Sequence, residues 1–240
     1  MDRSAGRLVL TVGLHGSAST WVFNVAREVL TAAYGADAVA GAFAASAADV
    51  AAARRPGVHL VVKTHGWPDI ADFAAAEQAV MLISVRDPRD AVLSLMQRFG
   101  DPLDVAVPGV GRDCQAARAA AGAGHPVLRY EDGFFADPAT VAWLAAQLGL
   151  APPEAMQAAI FERWHTAAVR ARADAIPLLP AGERSDPAAR VMLERRTLVT
   201  AGHIGDGRVG KWRDGFDPET RQRMTAFFAR FLLRFGYPLG

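Results

Sequence analysis

Leu8-Val9-Leu10-Thr11-Val12-Gly13-Leu14-His15-Gly16-Ser17-Ala18-Ser19-Thr20-Trp21 is the stretch that decides the fold of this 240-residue chain. Leu8–Val12 is an unbroken apolar run between Gly6 and Gly13, the pattern of a strand buried on both faces. From Ser19 the period changes to helical: Trp21, Val22, Val25, Val29 and Leu30 form one stripe, with Ser19 or Thr20 as its N-cap. A small-residue loop joins the two. Strand, loop and helix in that order are the repeating unit of an open α/β sheet.

Outward from this unit the alternation continues. Val58–Val62, Ala79–Val85 and Val127–Arg129 read as further strands. Ala36–Arg55, rich in alanine and stopped by Pro56-Gly57, reads as a helix, and Pro68–Glu77 as a short one. Pro88 sits at a first-turn position ahead of Val92, Leu95, Met96 and Phe99. Gly100–Gly111, rich in Gly, Pro and Asp, reads as a mobile loop, and Pro138–Leu148 as a helix ended by Gly149. The last 90 residues show no clear strand: a helix near Pro153–Arg170, an irregular basic stretch to about Gly210, and a final helix over Pro218–Phe235. The expectation is an α/β fold with a central parallel sheet flanked by helices and a helical C-terminal part, as one domain over residues 1–240.

Composition narrows the function classes. Charges nearly cancel, at 26 Lys+Arg against 25 Asp+Glu, which argues against disorder and against a bulk electrostatic nucleic-acid binder. One cysteine, Cys114, excludes an intrachain disulfide framework and a multi-thiolate zinc site. The N-terminal apolar run is too short for a signal-peptide core, and no window approaches a membrane span. A cytoplasmic enzyme is expected.

Four clusters fall at predicted strand ends, where open α/β sheets place ligands. The loop Gly16, Ser17, Ala18, Ser19, Thr20 can cradle a phosphate at the positive end of the following helix, or simply be a tight turn with a hydroxyl cap. It holds no lysine, which weakens an ATPase or kinase reading. After the second strand come Lys63, Thr64 and His65, a strand-end base beside a cation, or exposed loop residues. Arg86-Asp87-Pro88-Arg89-Asp90 precedes Ser94, so that Arg86 and Ser94 can pinch an anion, or the segment simply caps the helix with Asp87 and Asp90 and balances Arg89. Gly205-Asp206-Gly207-Arg208-Val209-Gly210-Lys211-Trp212 can wrap a phosphate with amides and the Arg208 guanidinium, or be a plain surface loop.

In this order the clusters resemble the PAPS-dependent sulfotransferases, whose co-substrate is 3′-phosphoadenosine-5′-phosphosulfate. Gly16–Trp21 is similar to that family's Lys-Ser-Gly-Thr-Thr-Trp loop, and Lys63-Thr64-His65 to its strand-end Lys-Thr-His. Arg86–Asp90 with Ser94 is similar to its Arg-Asn-Pro-Lys-Asp…Ser motif. Tyr130-Glu131-Asp132, with Asp137-Pro138 downstream, is similar to its Tyr-Glu-Asp, and Gly207–Trp212 to its Gly-x-x-Gly-x-Trp. The likeness spans roughly residues 8–216. Two positions depart from it: Gly16 stands where the family has its loop lysine, and Gly205-Asp206 where it has Arg-Lys. Lys63 or His15 is left to supply the missing charge.

The resemblance implies a P-loop-like, sulfotransferase-type sheet and sulfuryl transfer to a hydroxyl or amine, with His65 as base and Lys63 as charge stabiliser. It implies that Gly16–Thr20 hold the 5′-phosphate, that Arg86, Ser94, Gly207 and Arg208 serve the 3′-phosphate, and that Trp21 and Tyr130 flank the adenine. No metal is expected. The partner is a small-molecule or glycan acceptor chosen by loops near 100–124 and 171–203, and not nucleic acid; oligomeric state is open. Arg184, Arg190, Arg195 and Arg196 suit an anionic acceptor or a solvated helix face. The alternatives are a degenerate protein that holds nucleotide without transfer, against which His65 speaks, and a P-loop-type small-molecule kinase.

Overall fold

The computed structural model describes residues 6–176, 193–202 and 204–240. Five parallel strands form the main sheet: β1 (Leu8–Gly13), β2 (Val39–Phe43), β3 (His59–Thr64), β4 (Val80–Val85) and β5 (Val127–Arg129), in the order β2-β3-β1-β4-β5. Pairing Val12 with Thr64, Gly13 with Ser84, and Val85 with Arg129 makes the strands end level. The loop after β1, His65, Arg86 and Tyr130 therefore share one edge, and the chain's step from β3 to β4 across β1 makes this a topological switch point.

Alternating strand residues feed two cores. On one face Val9, Val61 and Leu82 pack against α1 (Ser19–Tyr34), α6 (Ala139–Gln147), α7 (Glu154–Trp164) and α8 (Thr166–Asp174), through Val22, Val25, Leu144, Ile160 and Trp164. On the other, Leu10, Val62, Met81 and Ile83 meet α2 (Ala47–Ala53), α3 (Ile70–Ala76), α4 (Pro88–Phe99), α5 (Leu103–Gly122) and α10 (Pro218–Phe235). A short β6–β7 hairpin (Leu193–Glu194, Val199–Thr200) and the four-residue α9 (Trp212–Gly215) complete the described elements.

The expected central parallel sheet is present, with one strand more than the sequence showed. Residues 36–55 are not one helix: a 3-10 turn at Ala36–Ala38, edge strand β2 and the short α2 occupy them. Pairing with β3 overrides the helical preference of alanine there. Gly100–Gly111 is not a loop, because α5 begins at Leu103 and runs through Pro108. Its buried Ala106, Val110, Cys114, Ala117 and Ala121 recur at helical spacing, so packing outweighs the lost hydrogen bond. The helix expected over Pro153–Arg170 is two helices broken at His165. The last 90 residues do hold strand, in β6 and β7. Arg184, Arg190 and most of the 171–203 stretch lie outside the described residues.

Gly66, at φ +93°, lets the backbone after β3 run against α5: a Cβ there would lie 2.2 Å from the Ala116 Cβ. Gly66→Ala is expected to cost about 1–3 kcal/mol through overpacking and left-handed strain. Urea unfolding checks it, and an unchanged midpoint contradicts the close approach.

Candidate active site

Gly16 (φ +73°) and Ala18 (φ 59°) take left-handed turns that swing the chain from β1 into α1. The N-cap is Ala18 without any side-chain cap, not Ser19 or Thr20, which lie buried inside the helix's first turn. Trp21 and Val22 N–H donate back to Ala18 O, which leaves the Ser19 and Thr20 N–H groups and the helix dipole at the sheet edge. Ser17 is spent on holding the loop: its N–H donates to Leu14 O, its hydroxyl to Leu14 O at 2.7 Å, and Ser84 Oγ lies 2.9 Å away.

Beside this loop stand two histidines. The rings of His15 and His65 stack with centroids 3.5 Å apart and an interplanar angle of 13°. His65 Nδ1 lies 2.6 Å from Gly13 O, and since a carbonyl only accepts, that nitrogen carries the proton and Nε2 holds the lone pair. His15 Nδ1 lies 2.6 Å from Asp113 Oδ2, which also accepts the His15 backbone N–H. Burial, with Lys63 as a cationic neighbour, pushes His65 well below the ordinary histidine value, and it stays neutral near pH 7. Burial lowers Lys63 to about 8; its Nζ lies 5.6 Å from the centroid of the Phe43 ring.

A second centre forms around Arg86. Its Nη1 donates to Gly16 O and its Nη2 to Arg208 O, at 3.1 and 2.8 Å. Its guanidinium lies 4.2 Å over the Tyr130 ring. A Cβ built on Gly16 would lie 3.5 Å from Arg86 Nη1 and 3.7 Å from Ser94 Oγ, so Arg86 and Ser94 do converge on the loop. Tyr130 OH donates to Gly207 O. Trp21 is buried, edge-on to Phe134 at 5.7 Å. Asp90 fixes the C-terminal loop, accepting from Gly210 N at 2.6 Å and Trp212 N at 2.9 Å, and burial raises its pKa. Arg208 is exposed and its guanidinium sits at Asp214, 3.3 Å away; only its carbonyl reaches Arg86.

Among the described residues the edge fits a phosphorylated nucleotide. Arg86 keeps a buried Nε with no partner, and Trp21 a buried Nε1 likewise. Metal-ligating atoms are also near one another in one place: one each from His15, His65 and Asp113, all within 4.8 Å.

Asp113, Lys211 and Phe43 were not foreseen from the sequence. Asp113 lies on α5 inside the stretch taken for loop. Lys211 is buried, 3.1 Å from Gln97 Oε1 and 3.5 Å from Asp206. The one available signal was helical spacing, which puts Asp113 and Cys114 in register with Ala106 and Val110.

No family model matches the chain, and no curated protein matches it. Solved structures do. Retinol dehydratase with androsterone and the inactive cofactor PAP matches at TM-score 0.61 and 16% identity, over 94% of this chain and 80% of that one. Retinol dehydratase with retinol and PAP gives 0.60 and 16%, over 95% and 82%. Mouse sulfotransferase SULT7A1 with PAP gives 0.64 and 12%, over 95% and 84%. The fold of this chain is that of these proteins.

Proposed function

We propose that the chain is a sulfotransferase that moves the sulfuryl group of PAPS to a hydroxyl or amine of a small-molecule or glycan acceptor in the cytoplasm. The observation that carries this reading is His65, its Nδ1 bonded to Gly13 O so that Nε2 is left to take a proton, at the same sheet edge as the small-residue loop flanked by Arg86 and Ser94. Sulfuryl transfer, like phosphoryl transfer, passes in line between two oxygens and asks the protein for position, charge and a base. His65 Nε2 takes the acceptor proton. Lys63 lends positive charge, amides of the Gly16–Thr20 loop other than that of Ser17, which is bonded to Leu14 O, hold the 5′-phosphate, and Arg86 with Ser94 the 3′-phosphate. Tyr130 and Trp21 shape the adenine site. Gly207 and Arg208 serve through the backbone, closing the loop over Arg86.

Calorimetric titration with PAP, AMP and magnesium ATP tests the reading. Binding of PAP that depends on its 3′-phosphate supports it, and a preference for ATP moves the kinase ahead. Arg86→Ala is expected to weaken PAP roughly 10–100-fold, the worth of one charged hydrogen-bond partner, and AMP far less. Equal losses for both ligands would remove Arg86 from the 3′-phosphate.

A further inference from the structure

Backbone groups are left over at the edges of a sheet, and the two edges of this one are finished differently. β5 spans three residues, and beside it the C-terminal Tyr237 lies 4.7 Å from the Arg129 guanidinium and donates to Glu131 Oε2. β2 meets no strand but β3 among the described residues, in unbroken parallel register from Val39 opposite His59 to Phe43 opposite Lys63. Along a strand the backbone groups of successive residues point to alternate sides. Ala44 N donates to Lys63 O, so Ala40 and Ala42 also bond inward, and Val39, Gly41 and Phe43 face outward. The Val39 N–H is spent on Ala36 O. The Val39 carbonyl and both groups of Gly41 and of Phe43 stay open, and Gly41 and Phe43 are exposed.

An open edge is a template for another strand, and chains that stay single guard theirs with a charge, a proline or a bulge. Val-Ala-Gly-Ala-Phe carries none of these, and its Phe43 ring is 47% exposed. We propose that β2 pairs antiparallel with β2 of a second copy, about a two-fold axis at Gly41, so that two sheets become one. The occupant is a second copy because the edge complements itself, as an isologous interface requires. With Gly41 opposite the partner's Gly41, each donates to the carbonyl of the other. Phe43 N–H then meets the carbonyl of the partner's Val39. The return bond of that pair needs the Val39 N–H, which Ala36 O already holds, so the Phe43 carbonyl stays with water. The Phe43 ring lies opposite the partner's Val39 on one sheet face, an aromatic–β-branched pair of the kind that stabilises neighbouring strands. The same ring stands 6.0 Å from that of His65 and 5.6 Å from Lys63 Nζ, so the interface reaches the rim of the candidate site. The pairing itself rests on the backbone and is independent of the sulfotransferase reading.

Sedimentation equilibrium of the wild-type chain, without nucleotide, tests it together with amide hydrogen exchange. The expected mass at micromolar concentration is twice the 25.5 kDa of the chain. The Gly41 amide should exchange about tenfold or more slowly in the associated protein than after dilution, while amides of β1 keep one rate. Phe43→Pro removes the outward N–H and the ring but no bond to β3, and should raise the dissociation constant on the order of 100-fold. Phe43→Glu keeps every backbone group and places a guard charge on the edge, beside Lys63; it should dissociate the dimer even if the proline variant does not fold. A chain that sediments as a monomer throughout overturns the proposal. So does a dimer whose Gly41 amide exchanges at one rate at every concentration, or one that survives Phe43→Glu, since its contact then lies elsewhere.

Discussion

His65→Ala is expected to leave PAP affinity within about threefold of wild type while lowering PAP release from PAPS by roughly 10²–10⁴-fold, the usual contribution of a positioned general base. Water serves as acceptor in this assay, so no acceptor need be known. The asymmetry between binding and turnover follows from geometry. The groups proposed to face the phosphates sit on the loop after β1, just after β4 and on α4, whereas His65 follows β3 and meets the β1 end through Gly13 O and the His15 ring. The pH profile adds a second reading of the same group. Burial holds His65 below its ordinary value, so it is neutral and competent down to pH values under 6.5, and the acid limb lies there. On the alkaline side Lys63, lowered by burial to about 8, loses its charge as pH rises through that value. Turnover should therefore fall above about pH 8, and Lys63→Arg should move that limb upward. Equal falls in affinity and turnover in His65→Ala would show that the imidazole holds the loop rather than moving a proton.

What the sequence made legible was whatever depends on neighbours along the chain. The change from an unbroken apolar run to a helical period across Gly13–Ser19 located β1, the loop and α1. Strand ends then placed Lys63, His65 and Arg86 on one edge. β2 stayed hidden because it is a half-exposed edge strand of Val-Ala-Gly-Ala-Phe, which differs from a helix only through its pairing with β3. α5 stayed hidden because Pro108, Gly109 and Gly111 imitate a loop while the helix is held by burial. With α5 went Asp113, whose contact with His15 joins residues 98 apart. Arg208 looked like a phosphate ligand from its glycine-rich surroundings, yet Asp206 and Asp214 beside it occupy its amide and guanidinium.

Arg89→Met should cost about 3–5 kcal/mol of stability, the penalty for removing one member of a buried ion pair, with no change in the slope of the urea transition. Arg89 is fully buried. It donates to both Asp87 carboxylate oxygens, Nε at 3.0 Å and Nη2 at 2.8 Å, and to Thr225 Oγ1 and Pro238 O. Its guanidinium lies 3.7 Å from the Trp212 ring. One side chain thus joins the start of α4, the Gly-rich loop and the C-terminal helix. Asp87 meanwhile caps α4 by accepting the Arg89 N–H ahead of Pro88, as its sequence position suggested. Methionine fills the space but strands the Asp87 carboxylate, which is 4% exposed. Arg89→Met with Asp87→Asn should recover part of the loss, since the stranded charge goes. Arg89→Lys should fall between wild type and Arg89→Met: an ammonium keeps the charge but cannot fork to both oxygens and stack on Trp212. Because Trp212 N and Gly210 N hang on the adjacent Asp90, Arg89→Met should also weaken PAP, whereas a variant that kept full stability would show that the clamp contributes nothing to folding.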